Sequence, residues 1–184
     1  MSTKKTEIDG IVLIEQQLHR DARGYVSEMY KQNGFDQTVD SIKFVQDYEL
    51  HIAKNVVQGL HFQKPPYSQS IIVRCVSGRI ISLALDLRKG SSTYGKCLQI
   101  ELNEENKLSE FIPSGFAHGF VSLGNDTIIQ YKCDNYSKEN AVCGVNVFDS
   151  DLSICLPINK AEAIISETDL KWPLLKDICS PFVS

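Results

Sequence analysis

Two histidines, a tyrosine and an aspartate stand out for chemistry. His61 lies in Asn55–Arg74 (NVVQGLHFQKPPYSQSIIVR), at the end of an apolar, strand-like run (Val56, Val57) that stops at Gly59. A Pro-Pro turn follows, and a second run (Ile71, Ile72, Val73) leaves it. An imidazole in apolar surroundings at a strand end is a candidate acid or base near neutral pH. Taken singly, such a histidine is more often structural. His118, Tyr131 and Asp149 shift the balance, because each sits in or at the end of a separate strand candidate. In a barrel, inward residues of different strands converge on one cavity. A histidine backed by a carboxylate and opposed by a phenol has the parts needed to move a proton on and off carbon. Tyr131 and Asp149 individually have strong structural readings, as a common strand residue and a turn residue.

The elements that must carry these residues are short strands. Turn residues recur at Asp9-Gly10, Arg23-Gly24, Asn33-Gly34, Pro65-Pro66, Ser77-Gly78, Lys89-Gly90, Pro113–Gly115 and Gly124–Asp126. The strand candidates between them are 11–14, 25–30, 71–76, 80–87, 97–102, 116–123, 127–133 and 141–148. Along 82–87 the leucines alternate with smaller or polar residues, the period of a strand. Many short strands punctuated by Gly and Pro predict an all-β sandwich or barrel. Helical signals are few: one or two turns over 33–38, a turn at 103–106, and a short helix over 168–171 after the capping-box pattern Ser166-Glu-Thr-Asp169. No repeat, linker or low-complexity stretch divides residues 1–184, so one domain is expected.

Composition narrows the partners. The 184 residues are 42% hydrophobic and carry a formal net charge of −4, with no long basic run. That argues against a nucleic-acid partner, while leaving room for a small anion held by a few local arginines. The six cysteines are dispersed and form no C-x-x-C pair, against a zinc ribbon or redox motif. No signal-like or membrane-spanning apolar run is present, so a reduced, cytoplasmic protein without membrane association is expected. The two N-x-[ST] matches, at Asn125 and Asn135, are read as chance in that compartment.

Two further patterns fail on physical grounds. Gly90–Cys97 (GSSTYGKC) nearly spells a phosphate-binding loop, but Cys97 replaces the magnesium-holding hydroxyl and a strand rather than a helix follows. A metal site of two histidines two apart is also missing, since Phe62 and Gln63 follow His61 and His118 stands alone. A metal-dependent cupin such as a dioxygenase is therefore disfavoured, and no metal or redox cofactor is expected.

In combination, Asp21-Ala-Arg23-Gly24-Tyr-Val-Ser-Glu28, Gly59-Leu-His61-Phe-Gln63, Ile72-Val-Arg74, Asp86-Leu-Arg88, Ser92–Gly95, Ile112–Phe120 (IPSGFAHGF), Tyr131-Lys132 and Asp149 resemble the sugar-nucleotide 4-keto-6-deoxyhexose epimerases, the dTDP-4-dehydrorhamnose 3,5-epimerase family. The resemblance runs from about Ile11 to Pro157. It implies a cupin-like jelly-roll barrel with a few short peripheral helices, forming a metal-free homodimer. It also implies an isomerase that inverts C3, C5 or both of an NDP-4-keto-6-deoxy sugar for deoxysugar or surface-polysaccharide synthesis. His61 would be the base, paired with Asp149, and Tyr131 the acid on the other sugar face. Arg23 and Glu28 would bind the nucleotide diphosphate, with a partner subunit contributing. Gln46, Gln58, His118 and Tyr136 would line the sugar and phosphate pocket.

The chain also departs from the family pattern. Gln58 stands where an Arg is common, Ile71 where a Lys is common, and Tyr48 where an Asn is common. Loss of one cation that steadies the enolate would cost about 2–4 kcal/mol. Arg79 and Lys132 are candidate replacements by position. The alternative reading is a catalytically weak, sugar-nucleotide-binding paralogue.

Overall fold

A computed structural model describes residues 2–32 and 42–183. The helical turn expected over 33–38 lies outside the described residues. The described residues form thirteen strands: β1 (Ser2–Lys5), β2 (Val12–Glu15), β3 (His19–Asp21), β4 (Gly24–Val26), β5 (Gln46–Ile52), β6 (Val57–Gln63), β7 (Ile71–Ser77), β8 (Arg79–Asp86), β9 (Cys97–Asn103), β10 (Ser109–Ile112), β11 (Phe116–Ser122), β12 (Thr127–Cys133) and β13 (Val142–Gly144). A six-stranded sheet has the order β1-β2-β10-β7-β12-β5, and a five-stranded sheet the order β13-β6-β11-β8-β9. Every pairing between these strands is antiparallel. This is the all-β jelly-roll architecture expected, and β3 and β4 form a separate hairpin.

Alternation decides which side chains fill the barrel. Val73 and Cys75 of β7, Ile80 and Ala84 of β8, Leu98 and Leu102 of β9, Phe116 and Phe120 of β11 and Ile129 of β12 share one buried cluster between the sheets. Residues of opposite parity, such as Leu83, Leu85, Ala117 and Val121, face outward and are covered by the C-terminal segment through Val147, Leu152 and Phe182. That segment carries the helix α1 (Glu167–Leu170), capped by the Ser166 hydroxyl, which accepts from Asp169 N–H at 3.0 Å. The capping pattern thus sits where expected.

Several elements differ from the expectation. The strand read over 25–30 spans only Gly24–Val26, and the one read over 141–148 only Val142–Gly144. Gly90–Lys96, by contrast, is the turn expected in place of a phosphate loop, its Ser91 and Thr93 hydroxyls donating to Asp86 Oδ2 at 2.8 and 2.7 Å. No helix among the described residues is long and apolar enough to cross a membrane.

Candidate active site

The site is built on a defect in β6. Across the β6–β11 pair His61 faces His118 and Gln58 faces Phe120, so three residues of β6 span what two of β11 span. This bulge resets the alternation and lets Gln58 and His61 both point into the barrel. Gly59 makes it possible: its φ is +94°, and a Cβ there would lie 2.5 Å from the His118 carbonyl oxygen. The sequence reading ended the strand at Gly59; the bulge carries the strand through it.

His61 Nε2 lies 2.6 Å from Asp169 Oδ1, on a carboxylate only 4% exposed. The same carboxylate accepts from Gly59 N–H at 3.1 Å and from the Trp172 indole N–H at 3.2 Å. Burial alone would raise Asp169, but the hydrogen bonds from His61, Gly59 and Trp172 outweigh it and hold the carboxyl below its ordinary range. Trp172 packs edge-on to His61, with ring centroids 6.1 Å apart. It fits because Gly144, the cross-strand partner of His61, has no Cβ to meet the indole at 2.6 Å.

This geometry corrects the expected pairing of His61 with Asp149. Asp149 caps the 3₁₀ turn Ser150–Leu152 instead, accepting from Asp151 N–H at 3.0 Å and from Leu175 N–H at 2.7 Å. Both its oxygens serve backbone donors. The signal for Asp169 was present in Ser166-x-x-Asp169. A capping box has its acidic residue reach back to the cap N–H. Here that carboxylate turns to His61, which no local pattern reveals.

His61 opens on a cavity of about 300 Å³ between the sheets. Its lining includes Gln58, His61, His118 and Tyr131 among the expected residues, with Tyr48 and Ile71 at the positions of departure. His118 and Tyr131 pack edge to face at 5.5 Å. Burial pushes His118 down to about 3, with His61 adding to the effect, so the ring stays neutral. Burial pushes the Tyr131 phenol well up, so it keeps its proton.

The other expected binding residues do not line this cavity. Gln46 stands behind it, accepting from Ser137 N–H at 2.9 Å. Tyr136 is exposed. Arg23 projects from the β3–β4 hairpin into solvent, paired with Asp21 at 2.6 Å, and Glu28 is exposed. Nor do the proposed replacement cations reach it: Arg79 is exposed at the start of β8, and Lys132 pairs with Asp47 at 2.7 Å. No lysine, arginine or carboxylate lines the cavity among the described residues; its polar groups are three glutamines, two histidines, two tyrosines, a cysteine and a serine. Among the described residues no group of three or more His, Cys, Asp or Glu gathers to hold a metal.

Comparison with known proteins gives this geometry its context. The family model for dTDP-4-dehydrorhamnose 3,5-epimerase matches residues 5–177, a span that includes Asp169. The dTDP-4-dehydrorhamnose 3,5-epimerase of Methanothermobacter thermautotrophicus is 38% identical, the match covering 94% of both chains. The crystal structure of the enzyme of that name from Elizabethkingia anophelis superposes with a TM-score of 0.91 at 40% identity, covering 96% of this chain and 97% of that one. The Legionella pneumophila dTDP-6-deoxy-D-glucose-3,5-epimerase, in complex with dTDP-4-keto-L-rhamnose, superposes with a TM-score of 0.92 at 31% identity, covering 97% and 94%. ChmJ of Streptomyces bikiniensis, a 3'-monoepimerase in complex with dTDP-quinovose, gives 0.88 at 26%, covering 93% and 86%. The chain therefore belongs to the dTDP-4-dehydrorhamnose 3,5-epimerase family of isomerases.

Proposed function

We propose that this chain epimerises a dTDP-4-keto-6-deoxy sugar by proton abstraction next to the ketone. The observation that carries the reading is the His61–Asp169 pair opening on a cavity that Tyr131 also lines. The carboxylate accepts a hydrogen bond from Nε2–H, which leaves the Nδ1 lone pair of His61 as the base. A C4 carbonyl acidifies the hydrogens on C3 and C5, because the anion spreads onto oxygen as an enolate. Tyr131, kept protonated by burial, returns a proton from the other face and inverts the carbon. The enolate oxygen needs positioned donors. In this cavity they are neutral: the Gln58 amide and whichever His118 nitrogen carries hydrogen.

The thymidine diphosphate follows from what the Legionella and Streptomyces relatives bind. Arg23 and Glu28 lie on the exposed β3–β4 arm, with Tyr25 at 48% and Val26 at 72% exposure beside them. These two strands pair with no other strand among the described residues. The reading assigns this arm to a second copy, where Arg23 and Glu28 would meet the diphosphate of the partner's site. Gln46 and Tyr136 would flank the nucleotide outside the sugar cavity. The working unit is a cytoplasmic homodimer of one-domain chains.

The deciding experiment is incubation with a dTDP-4-keto-6-deoxy sugar in D2O, following C3 and C5 by NMR. Exchange at either carbon is expected, and its pattern assigns the inverted centre. Absence of exchange with every donor tried, alongside tight binding, would replace this reading by the binding paralogue. The cation-free lining of the cavity favours that second reading. Gln58→Arg separates the two, because a restored cation should raise a slow exchange rate severalfold and leave a true binder inert. Light scattering tests the dimer, and Arg23→Ala should raise KM while sparing kcat.

A further inference from the structure

The base and its carboxylate do not form a closed pair. Asp169 Oδ1, which faces His61 Nε2 at 2.6 Å, also accepts the indole N–H of Trp172 at 3.2 Å, while Oδ2 accepts from Gly59 N–H at 3.1 Å. Imidazole and indole thus share one oxygen. Trp172 is the chain's only tryptophan. It does not line the cavity, so it reaches a substrate only through Asp169 and its edge-on contact with the His61 ring. Three features hold it there. Gly144 of β13 lies against the indole, where a Cβ would meet Cδ1 at 2.7 Å. The Asn146 side chain donates to the Leu170 carbonyl at 3.2 Å and its backbone N–H to the Pro173 carbonyl at 2.9 Å, which pins the chain on both sides of Trp172. The Ser166 cap holds Asp169 itself.

We infer that Trp172 is a positioning residue for the base: its indole N–H competes with His61 Nε2–H for one carboxylate oxygen, and so limits how tightly the imidazole holds the proton it takes.

The logic is one of shared charge. The proposed reaction, on which the inference rests, needs an imidazole that takes a proton from carbon and gives it up again. An ionised carboxylate steadies the imidazolium in proportion to the negative charge it turns towards it. Hydrogen bonds to a charged group are stronger than neutral ones, so an indole on the same oxygen takes a measurable share. Without that N–H, Oδ1 binds the imidazolium more strongly, and the ring stays protonated to a higher pH. Other titratable groups face His61 from the strands around it. From β11 comes His118, kept neutral by burial, and from β12 Tyr131 and Cys133, both pushed up by burial. Tyr48 of β5 lines the same cavity, and β13 presents Gly144. Lys171 and Glu167, beside Asp169 in sequence, are exposed and pair with each other at 3.4 Å.

The first test needs no substrate. In the full-length protein, tryptophan is replaced biosynthetically by 3-benzothienylalanine, which keeps the shape of the indole and puts sulfur in place of N–H. With a single tryptophan in the chain, nothing else changes. The ring signals of His61, assigned by difference with His61→Asn, are followed by NMR against pH. The expected result is a protonation midpoint displaced upward by roughly half a unit from that of the unsubstituted protein. Trp172→Phe, which also removes the donor, should move it the same way. A midpoint that is unchanged or lowered in the isosteric protein overturns the inference, since packing alone would then account for Trp172. Should Trp172→Phe not fold, the isostere decides.

The catalytic readout rests on the epimerase reading. With a dTDP-4-keto-6-deoxy sugar in D2O, the acid limb of the exchange-rate profile should move to higher pH by the same interval in the isosteric protein, so that exchange on that limb falls about threefold at a fixed pH. A lower rate at every pH, with the limb unmoved, would make Trp172 a packing residue and overturn the inference. If no exchange occurs with any donor, the epimerase reading fails, and the NMR midpoints still decide the role of Trp172.

Discussion

His61 and His118 face each other across one strand pair, yet they are held in different ways. His61 touches its carboxylate directly, at 2.6 Å, and is partly open, with 30% of its side chain exposed. His118 Nε2 instead faces the Ser82 hydroxyl, at 3.1 Å, and the ring is pushed down to about 3 by burial, with His61 adding to it. Direct contact with an ionised Asp169 supports an imidazolium, as a base requires. A neutral hydroxyl supplies no such charge, and the buried ring beside it stays uncharged. In the proposed reaction the same residue type therefore serves as a proton carrier at His61 and as an uncharged hydrogen-bonding group at His118. Distance to the carboxylate and access to solvent make the difference.

The largest break in this comparison comes from Asp169→Asn. An amide cannot steady the imidazolium and can present its N–H to His61, fixing the wrong tautomer. Exchange at the carbons next to the ketone should fall by roughly 10²–10⁴-fold, with His61→Asn at least as severe. A Ser82→Ala variant should lose far less, because it removes a neutral hydrogen bond to His118 rather than a charge. Deuterium wash-in followed by NMR reads all three. Near-wild-type exchange in Asp169→Asn would end the claim that the two pairs differ in kind.

Two buried carboxyls, Asp169 and Glu110 of β10, also give opposite dependences of stability on pH, and this sharpens the comparison. Asp169 is held below its unfolded value of 3.8, so its stabilisation is present above that pH and is lost as pH falls through the folded value. Glu110 goes the other way. The unfolded chain releases this proton near 4.5 and the folded chain near 7, so stability declines as pH rises between them. Glu110→Leu removes the penalty. It should stabilise the protein at pH 8 by up to roughly 3 kcal/mol, the equivalent of that displacement. At pH 4.5 the gain should nearly vanish. Paired thermal or denaturant unfolding curves at the two pH values measure it, and an equal gain at both would mean that packing rather than ionisation dominates.

Residues that announce themselves locally were legible, and residues placed by tertiary packing were not. Strand β12 ran over 127–133 as expected, because its apolar residues alternate and turns flank it. β5 was missed because Asp47, Glu49 and His51 alternate with Tyr48, Leu50 and Ile52, and an edge strand with a charged outer face has little net hydrophobicity. β1 is exposed at all four positions and carries no apolar signal. His61, His118, Tyr131 and Gln58, to which strand parity or resemblance pointed, do line the cavity. Asp169 escaped because it lies 108 residues from His61, beyond the stretch of resemblance, in a helix start whose pattern has a sufficient local meaning. Glu110 escaped because a single acid among Ser109, Phe111 and Ile112 reads as the outward residue of a half-exposed strand. β10 is instead buried along its whole length, between β2 and β7.

The smallest expected effect separates Asp149 from both histidine pairs. Its carboxylate holds the backbone N–H groups of Asp151 and Leu175, tying the turn at 150–152 to the C-terminal segment that covers the outer face of the five-stranded sheet. Asp149→Ala leaves both donors without that acceptor, and loss of a cap of this kind costs about 1–2 kcal/mol. His61, Asp169 and Tyr131 do not depend on it for any hydrogen bond, so kcat should stay within about twofold of wild type. Denaturant unfolding together with the exchange assay reads both quantities on one sample. A rate loss as deep as that of Asp169→Asn, with stability unchanged, would restore Asp149 as the partner of the base. The reverse pattern, a less stable protein with its turnover intact, is what two backbone hydrogen bonds and no contact with His61 require.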